Sequence, residues 1–128
     1  MPAPAPNPPA FVDGVLGSLL PLGPVRARAM FGGWGLFLDD AMFGLIARER
    51  LYFKVDAETE PRFAAAGAEA FTYLRQGKRV ALSYWAAPLG APWGAGALLP
   101  WAELGLDAAR RARAKRRNKA RRQKRRYR

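Results

Sequence analysis

The chain has 128 residues, with 22 lysines and arginines against 10 aspartates and glutamates, and contains neither cysteine nor histidine. Disulfides, thiolate nucleophiles, imidazole acid–base chemistry and Cys/His zinc sites are thereby excluded, and any metal would have to sit on carboxylates. The length fits one domain, and with half of the residues hydrophobic the chain can enclose a core.

The charge is unevenly placed. Residues 1–109 hold nine basic and ten acidic side chains, whereas residues 110–128 hold thirteen basic and no acidic ones. A nearly neutral body therefore carries a cationic tail, and the net charge of +12 describes that tail rather than the surface of the body.

The first ten residues, MPAPAPNPPA, contain five of the eleven prolines, and residues 1–9 read as a disordered leader of extended chain. They lack the basic start and apolar stretch of a secretory signal. No run reaches the length of a membrane span, so the expected location is the cytoplasm. Asn7 with Pro8 and Pro9 reads as the cap and first turn of a helix. Phe11, Val12, Val15, Leu16, Leu19 and Leu20 form its apolar face, and Pro21 stops it.

At Trp34 the apolar period changes from 3.6 to 2. Three strands are expected over residues 34–39, 42–47 and 51–55, with tight connections at Asp39-Asp40 and Arg48-Glu49-Arg50. In the third, Leu51, Phe53 and Val55 alternate with Tyr52 and Lys54, which implies one buried face and one partly wet face. Asp56 or Thr59 caps a second helix, Pro61 fits its first turn, Phe63 anchors it to the sheet, and Gly67 takes the left-handed C-terminal position. Strands over 70–75 and 79–86 follow, joined by Gln76-Gly77-Lys78, with Val80, Leu82 and Tyr84 expected to face inward. A Gly/Ala/Pro-rich loop carrying Trp93 leads to a third helix opened by Pro100. Trp101, Leu104 and Ala108 share one of its faces for about two turns. The expected architecture is a two-layer α+β domain over residues 10–109. Its antiparallel five-stranded sheet and helices follow the order α-β-β-β-α-β-β-α.

The residues of this domain are themselves distinctive. The run from Arg28 through Met30, Phe31, Gly32, Gly33, Trp34 and Gly35 to Phe37, followed by Met42-Phe43-Gly44-Leu45-Ile46 and Leu51-Tyr52-Phe53-Lys54-Val55-Asp56, resembles the N-terminal domain of the TfoX/Sxy family. Phe71-Thr72-Tyr73, Val80-Ala81-Leu82-Ser83-Tyr84-Trp85, Pro88 and Leu98-Leu99-Pro100-Trp101-Ala102 stand in the same order, so the resemblance extends over about residues 11–113. It implies a compact α+β domain laid out like the secretion-chaperone folds, which often pair as dimers. Two-domain members of the family are bacterial competence regulators that help a cyclic-AMP receptor protein activate DNA-uptake genes. They carry a second, helical domain for which this length leaves no room. Met30, Phe31, Gly32, Gly33, Gly35, Tyr52, Lys54, Tyr73, Tyr84 and Pro88 are the motif positions, read as structural. Family membership alone does not transfer function.

Gly32, Gly33 and Gly35 lack the spacing of a P-loop or dinucleotide fingerprint and precede a strand, so a turn or close backbone approach explains them better than a phosphate cradle. Asp39, Asp40, Asp56, Glu58 and Glu60 are the only local carboxylate groupings. Turn and helix-start roles fit them better than acid–base chemistry. No catalytic residue, metal or cofactor is assigned, and the expectation is a protein that is not an enzyme. Trp34, Tyr52, Tyr73, Trp85 and Trp93 could stack on bases, but with few neighbouring cations they read as core or dimer contacts.

The tail carries Arg110, Arg111, Arg113, Lys115, Arg116, Arg117, Lys119, Arg121, Arg122, Lys124, Arg125, Arg126 and Arg128. So many like charges with almost no apolar side chain predict disorder in the free chain over residues 110–128. Opposite a polyanion, neutralisation would permit a helix, since alanine, glutamine and the long basic residues favour one. The tail is expected to contact the phosphate backbone of DNA or RNA without sequence preference. Two function classes follow. One is a nucleic-acid-associated accessory protein, a TfoX-like competence or transcription regulator whose folded domain binds a protein partner. The other is a dimeric, chaperone-like interaction module whose tail is dispensable.

Overall fold

The computed structural model describes residues 9–30, 32–88, 93 and 96–126. Leader residues 1–8 with Asn7, Phe31, most of the 89–97 loop, and Arg128 lie outside the described residues. Helix α1 (Ala10–Ser18) is followed by a single 3-10 turn over Leu20–Leu22, which ends at Gly23 with φ 139°. Strands β1 (Arg26–Met30), β2 (Gly33–Leu38), β3 (Ala41–Ala47) and β4 (Arg50–Lys54) come next. Helix α2 (Glu60–Ala65), strands β5 (Ala70–Arg75) and β6 (Lys78–Ala86), and helix α3 (Leu99–Arg126) complete the chain.

The sheet has six antiparallel strands in the order β1-β2-β3-β4-β6-β5, one more than the five expected. The five expected strands are all present, with ends displaced by no more than one residue. The additional strand is β1, whose sequence Arg-Ala-Arg-Ala-Met offers no large apolar alternation. Its strand form comes from pairing with β2, from Arg26 opposite Phe37 to Met30 opposite Gly33. As an edge strand carrying two arginines it is poorly suited to further pairing.

Three hairpins turn on residue pairs with positive φ: Asp39 and Asp40 (50° and 65°), Arg48 and Glu49 (51° and 58°), and Gln76 and Gly77 (52° and 78°). Positive φ at both central residues matches the twist of the flanking strands and fixes the register. The five polar side chains at these positions stay exposed.

All three helices pack on one face of the sheet. Val12, Val15 and Leu19 from the N-terminal turns, Phe63 from α2, and Ala102, Leu106 and Ala109 from α3 close over Leu36, Phe43, Ile46, Leu51, Phe53 and Val55. The Phe43 and Phe53 rings lie parallel at 6.3 Å, and Phe63 meets Trp101 edge-on at 5.0 Å, so α2 is anchored as expected. The opposite face carries a smaller cluster of Leu45, Tyr52 and Ala86, flanked by Met42, Ala47, Phe71 and Tyr84. Tyr52 is thus buried by neighbours on the sheet itself.

Val80, Leu82 and Tyr84 do not face the helical core. Register pairs Phe53 with Trp85 and Lys54 with Tyr84, which places Trp85 under the helices and Tyr84 with Leu82 on the other face. Leu82 is 38% exposed. Alternation assigns residues to a common face but does not say which face a helix will cover.

The position of α3 is set by small residues. Ala102, Gly105, Leu106 and Ala109 recur at helical spacing toward the sheet. A Cβ on Gly105 would stand 3.0 Å from the Phe43 carbonyl oxygen and 3.1 Å from Phe53 Cβ. Beyond Ala109, where a disordered tail is expected, the helix continues to Arg126. Nucleation is the costly step of helix formation, and the packed turns from Leu99 supply it. Alanine, arginine, lysine and glutamine then propagate well, against like-charge repulsion of only about 0.2–0.5 kcal/mol per i,i+4 pair.

Substituting Gly105 by valine should destabilise the fold by about 1–3 kcal/mol through overpacking against the sheet. Gly14 in α1, with nothing within 4 Å of an added Cβ, should instead gain roughly 0.5–1 kcal/mol on Gly14→Ala. Urea unfolding of both variants checks the pair.

Candidate functional site

The loop between β4 and α2 builds an arginine receptor. Asp56 stands one residue beyond the strand end, after Val55, and its Oδ1 accepts the backbone N–H groups of Glu58 at 3.0 Å and Thr59 at 3.2 Å. The Asp56 N–H donates in return to the buried Thr59 hydroxyl at 3.1 Å. Thr59 is the N-cap residue of α2 but its side chain makes no cap hydrogen bond, and the Asp56 carboxylate binds the amides of the turn that leads into the helix. Arg111 then donates from Nε to Asp56 Oδ2 at 2.7 Å and from Nη2 to Oδ1 at 3.0 Å, and Nε also lies 2.8 Å from Glu58 Oε2. These hydrogen bonds, Arg111 foremost, hold the Asp56 carboxyl down to about 2 against the opposing effect of burial.

Two more basic residues of α3 turn back to the domain. Arg113 donates to the Asp39 carbonyl oxygen in the β2–β3 turn, and Arg110 Nη2 stands 3.8 Å from the Asp39 carboxylate. Arg111 and Arg113 are therefore hydrogen-bonded within the protein, and Arg110 stays exposed beside Asp39. The nine cations from Lys115 to Arg126 are exposed, and no acidic residue lies among them. They are distributed around the helix, with Lys119, Arg122 and Arg126 sharing one side with Gln123.

A second feature is the helix-free face of the sheet. Met30, Gly33, Met42, Leu45, Ala47, Phe71, Tyr73, Leu82 and Tyr84 line a groove of about 480 Å³. Its floor is tied by the Tyr84 hydroxyl, which donates to the Met42 carbonyl at 3.1 Å, and burial pushes that phenol up to about 12. Lys54 Nζ donates to Ser83 Oγ at 2.5 Å and stands 5.4 Å over the Tyr84 ring. Burial first, then the charge of Arg116, lowers the Lys54 pKa from its ordinary value. The cationic helix and this face are thus electrostatic neighbours.

Among the described residues no group of three or more carboxylates is placed to hold a metal, and no helix is long and apolar enough to cross a membrane. Residues 18–109 match the TfoX N-terminal domain family. The chain belongs to that family. A stretch of 63 residues is 40% identical to the DNA transformation protein TfoX1 of Aliivibrio fischeri (strain ATCC 700601 / ES114), covering 49% of this chain and 30% of that protein. The match thus extends over less than a third of that relative's length.

In this TfoX-family domain the motif positions divide between backbone geometry and the open face. Gly32 has φ 77°, and Gly33 approaches the Ile46 carbonyl so closely that a Cβ would collide with it. Gly35 leaves room for Met30 and Phe37 to close above it. Tyr52, Lys54, Tyr73 and Tyr84 share the helix-free face, and Pro88 sits half-buried at a bend after β6. Of the aromatics considered for stacking, Trp34, Trp85 and Trp93 pack against the helical core, and Tyr52 is buried in the smaller cluster. Tyr73 remains 36% exposed. The family match stops at Ala109, so the exposed cations lie beyond it.

The pairing of Asp56 with Arg111 leaves no trace in the sequence. The two are 55 positions apart, and nothing in composition or spacing links them. Because the folded protein binds a proton at Asp56 less readily than the open chain does, this contribution to stability is complete above about pH 4 and is lost as pH falls toward 2. Melting temperatures measured between those limits should fall more steeply for the wild type than for Asp56→Asn. That variant should already melt lower at neutral pH.

Proposed function

We propose that the protein is a non-enzymatic, nucleic-acid-associated accessory factor of the TfoX family. Its folded domain engages a protein partner and the outer part of α3 contacts phosphate. The observation that carries this reading is the run of nine exposed cations from Lys115 to Arg126, without an acidic residue, on a helix continuous with the core. Each phosphate neutralised releases condensed counterions, which favours binding to any polyanionic backbone. Cations distributed around the helix suit backbone contact more than base readout, so DNA and RNA should both bind without sequence preference. The name DNA transformation protein, given to TfoX1 of Aliivibrio fischeri, supports a competence-related role, which this reading places in the cytoplasm. The division at residue 109 then separates a domain that binds protein from a segment that binds nucleic acid, though the helix runs through it.

A second reading, a chaperone-like dimeric interaction module with a dispensable tail, is favoured by the apolar groove on the open sheet face.

The full chain should be compared with a variant in which Arg117, Lys119, Arg121, Arg122, Lys124 and Arg125 are all glutamine, a substitution that keeps helix propensity. Titrations on duplex DNA and on RNA of about 20 nucleotides, between about 50 and 300 mM salt, should show a steep salt slope for the wild type. For duplex DNA the slope should fall by up to about 5 in the variant. Equal affinity and slope for both chains would refute phosphate contact by α3 and leave the interaction-module reading.

A further inference from the structure

The nucleic-acid contact proposed for α3 makes no use of the groove on the helix-free face, which Met30, Met42, Leu45, Phe71, Leu82 and Tyr84 make apolar. Leu82 and Tyr73 remain 38% and 36% exposed there. Charge distinguishes this face further. The six strands contain seven lysines and arginines and no carboxylate. Three of those cations stand over rings of this face: Arg28 at 5.7 Å from the Phe37 centroid, Arg50 at 5.6 Å from Tyr52, and Lys54 at 5.4 Å from Tyr84.

We propose that this groove binds an acidic peptide segment of a partner protein, its large apolar side chains entering between Met42, Leu45 and Leu82 and its carboxylates meeting Arg28, Arg50 and Lys54. The proposal rests on the reading that the folded domain engages a protein, and it specifies the chemistry of what is engaged. Methionine-rich apolar grooves accommodate varied side chains because the thioether chain is flexible and polarisable. The cations on the rings select the charge of the flanks. A carboxylate beside Lys54 would add to the attraction of Asp56 against its burial and the repulsion of Arg116.

Two other occupants fit less well. A second copy of the chain would set Arg28, Arg50 and Lys54 against a face whose strands likewise carry cations and no carboxylate, opposing face-to-face pairing. Bases stack on open ring faces, but Tyr52 is 8% exposed and the Phe37, Tyr52 and Tyr84 rings already carry cations.

The test selects random peptides of about 16 residues, displayed on phage, against the full-length protein. Enriched sequences are then titrated as synthetic peptides against wild type, Leu82→Asp, Arg50→Gln and the six-glutamine α3 variant. Enriched peptides should combine Asp or Glu with Leu, Phe or Trp. Leu82→Asp, which sets a carboxylate in the apolar groove against an acidic peptide, and Arg50→Gln, which removes a partner cation, should weaken them about tenfold or more, while the α3 variant should leave them within about twofold. Circular dichroism confirms folding, since both residues are exposed enough to substitute. An unenriched pool, peptides without acidic bias, or affinities insensitive to Leu82→Asp would overturn the proposal. So would peptides that depend on the α3 charges alone. A dimer seen by light scattering that Leu82→Asp dissociates would assign the face to a second copy. Oligothymidylate binding lost in Leu82→Asp but kept in the α3 variant would assign it to single strands. The duplex salt slope reports separately on the α3 reading, so the two can fail independently.

Discussion

The close contact between α3 and the sheet at Gly105 is the constraint on which the other parts of the molecule depend. With hydrogen in place of a side chain, the helix axis comes near enough for Ala102, Leu106 and Ala109 to pack over Phe43 and Phe53. That contact buries the middle of the sheet, nucleates the helix, and fixes the direction in which its polar half leaves the domain. A larger residue would lift the helix from the core and loosen all three effects together.

The distribution of charge follows from the same frame. Asp39, Asp40, Asp56 and Glu58 lie in turns, where the Asp56 and Glu58 carboxylates hold Arg111, the Asp39 carboxylate stands 3.8 Å from Arg110 while its carbonyl accepts from Arg113, and Asp40 lies 3.6 Å from Arg26. The strands carry only cations among their charged residues. A body of almost no net charge is therefore not electrostatically uniform. Its acidic groups stabilise the root of α3, and its open sheet face keeps a positive character.

Much of this was legible in the sequence because period and turn chemistry act locally. Trp34 to Val55 alternates apolar residues around two polar turn pairs, and the strands fall within one residue of the expected limits. Residues 70–86 do the same around Gln76-Gly77. Strand β1 was not legible because Arg and Ala supply no apolar alternation, and only its partner β2 makes it a strand. The facing of Val80, Leu82 and Tyr84 failed for a tertiary reason. Helix placement, decided by α3 and its glycine, determines which face becomes core. The helical state of residues 110–126 depends likewise on a nucleus outside the tail. Of the functional features, the cations were plain in composition, whereas the receptor at Asp56 and the groove join residues far apart in the chain.

Continuity of α3 across Ala109 also makes the protein a rigid spacer. At a rise of about 1.5 Å per residue, Arg126 stands roughly 25 Å beyond Ala109, held at its root by side chains rather than swinging on a linker. Two ligands on one molecule, a polyanion on the rod and a partner on the sheet, would meet at a set angle and stand-off rather than at an averaged distance. Their relative orientation becomes a property of helical phase: one residue inserted between Arg113 and Lys115 would keep every charge while turning the outer track by about 100°.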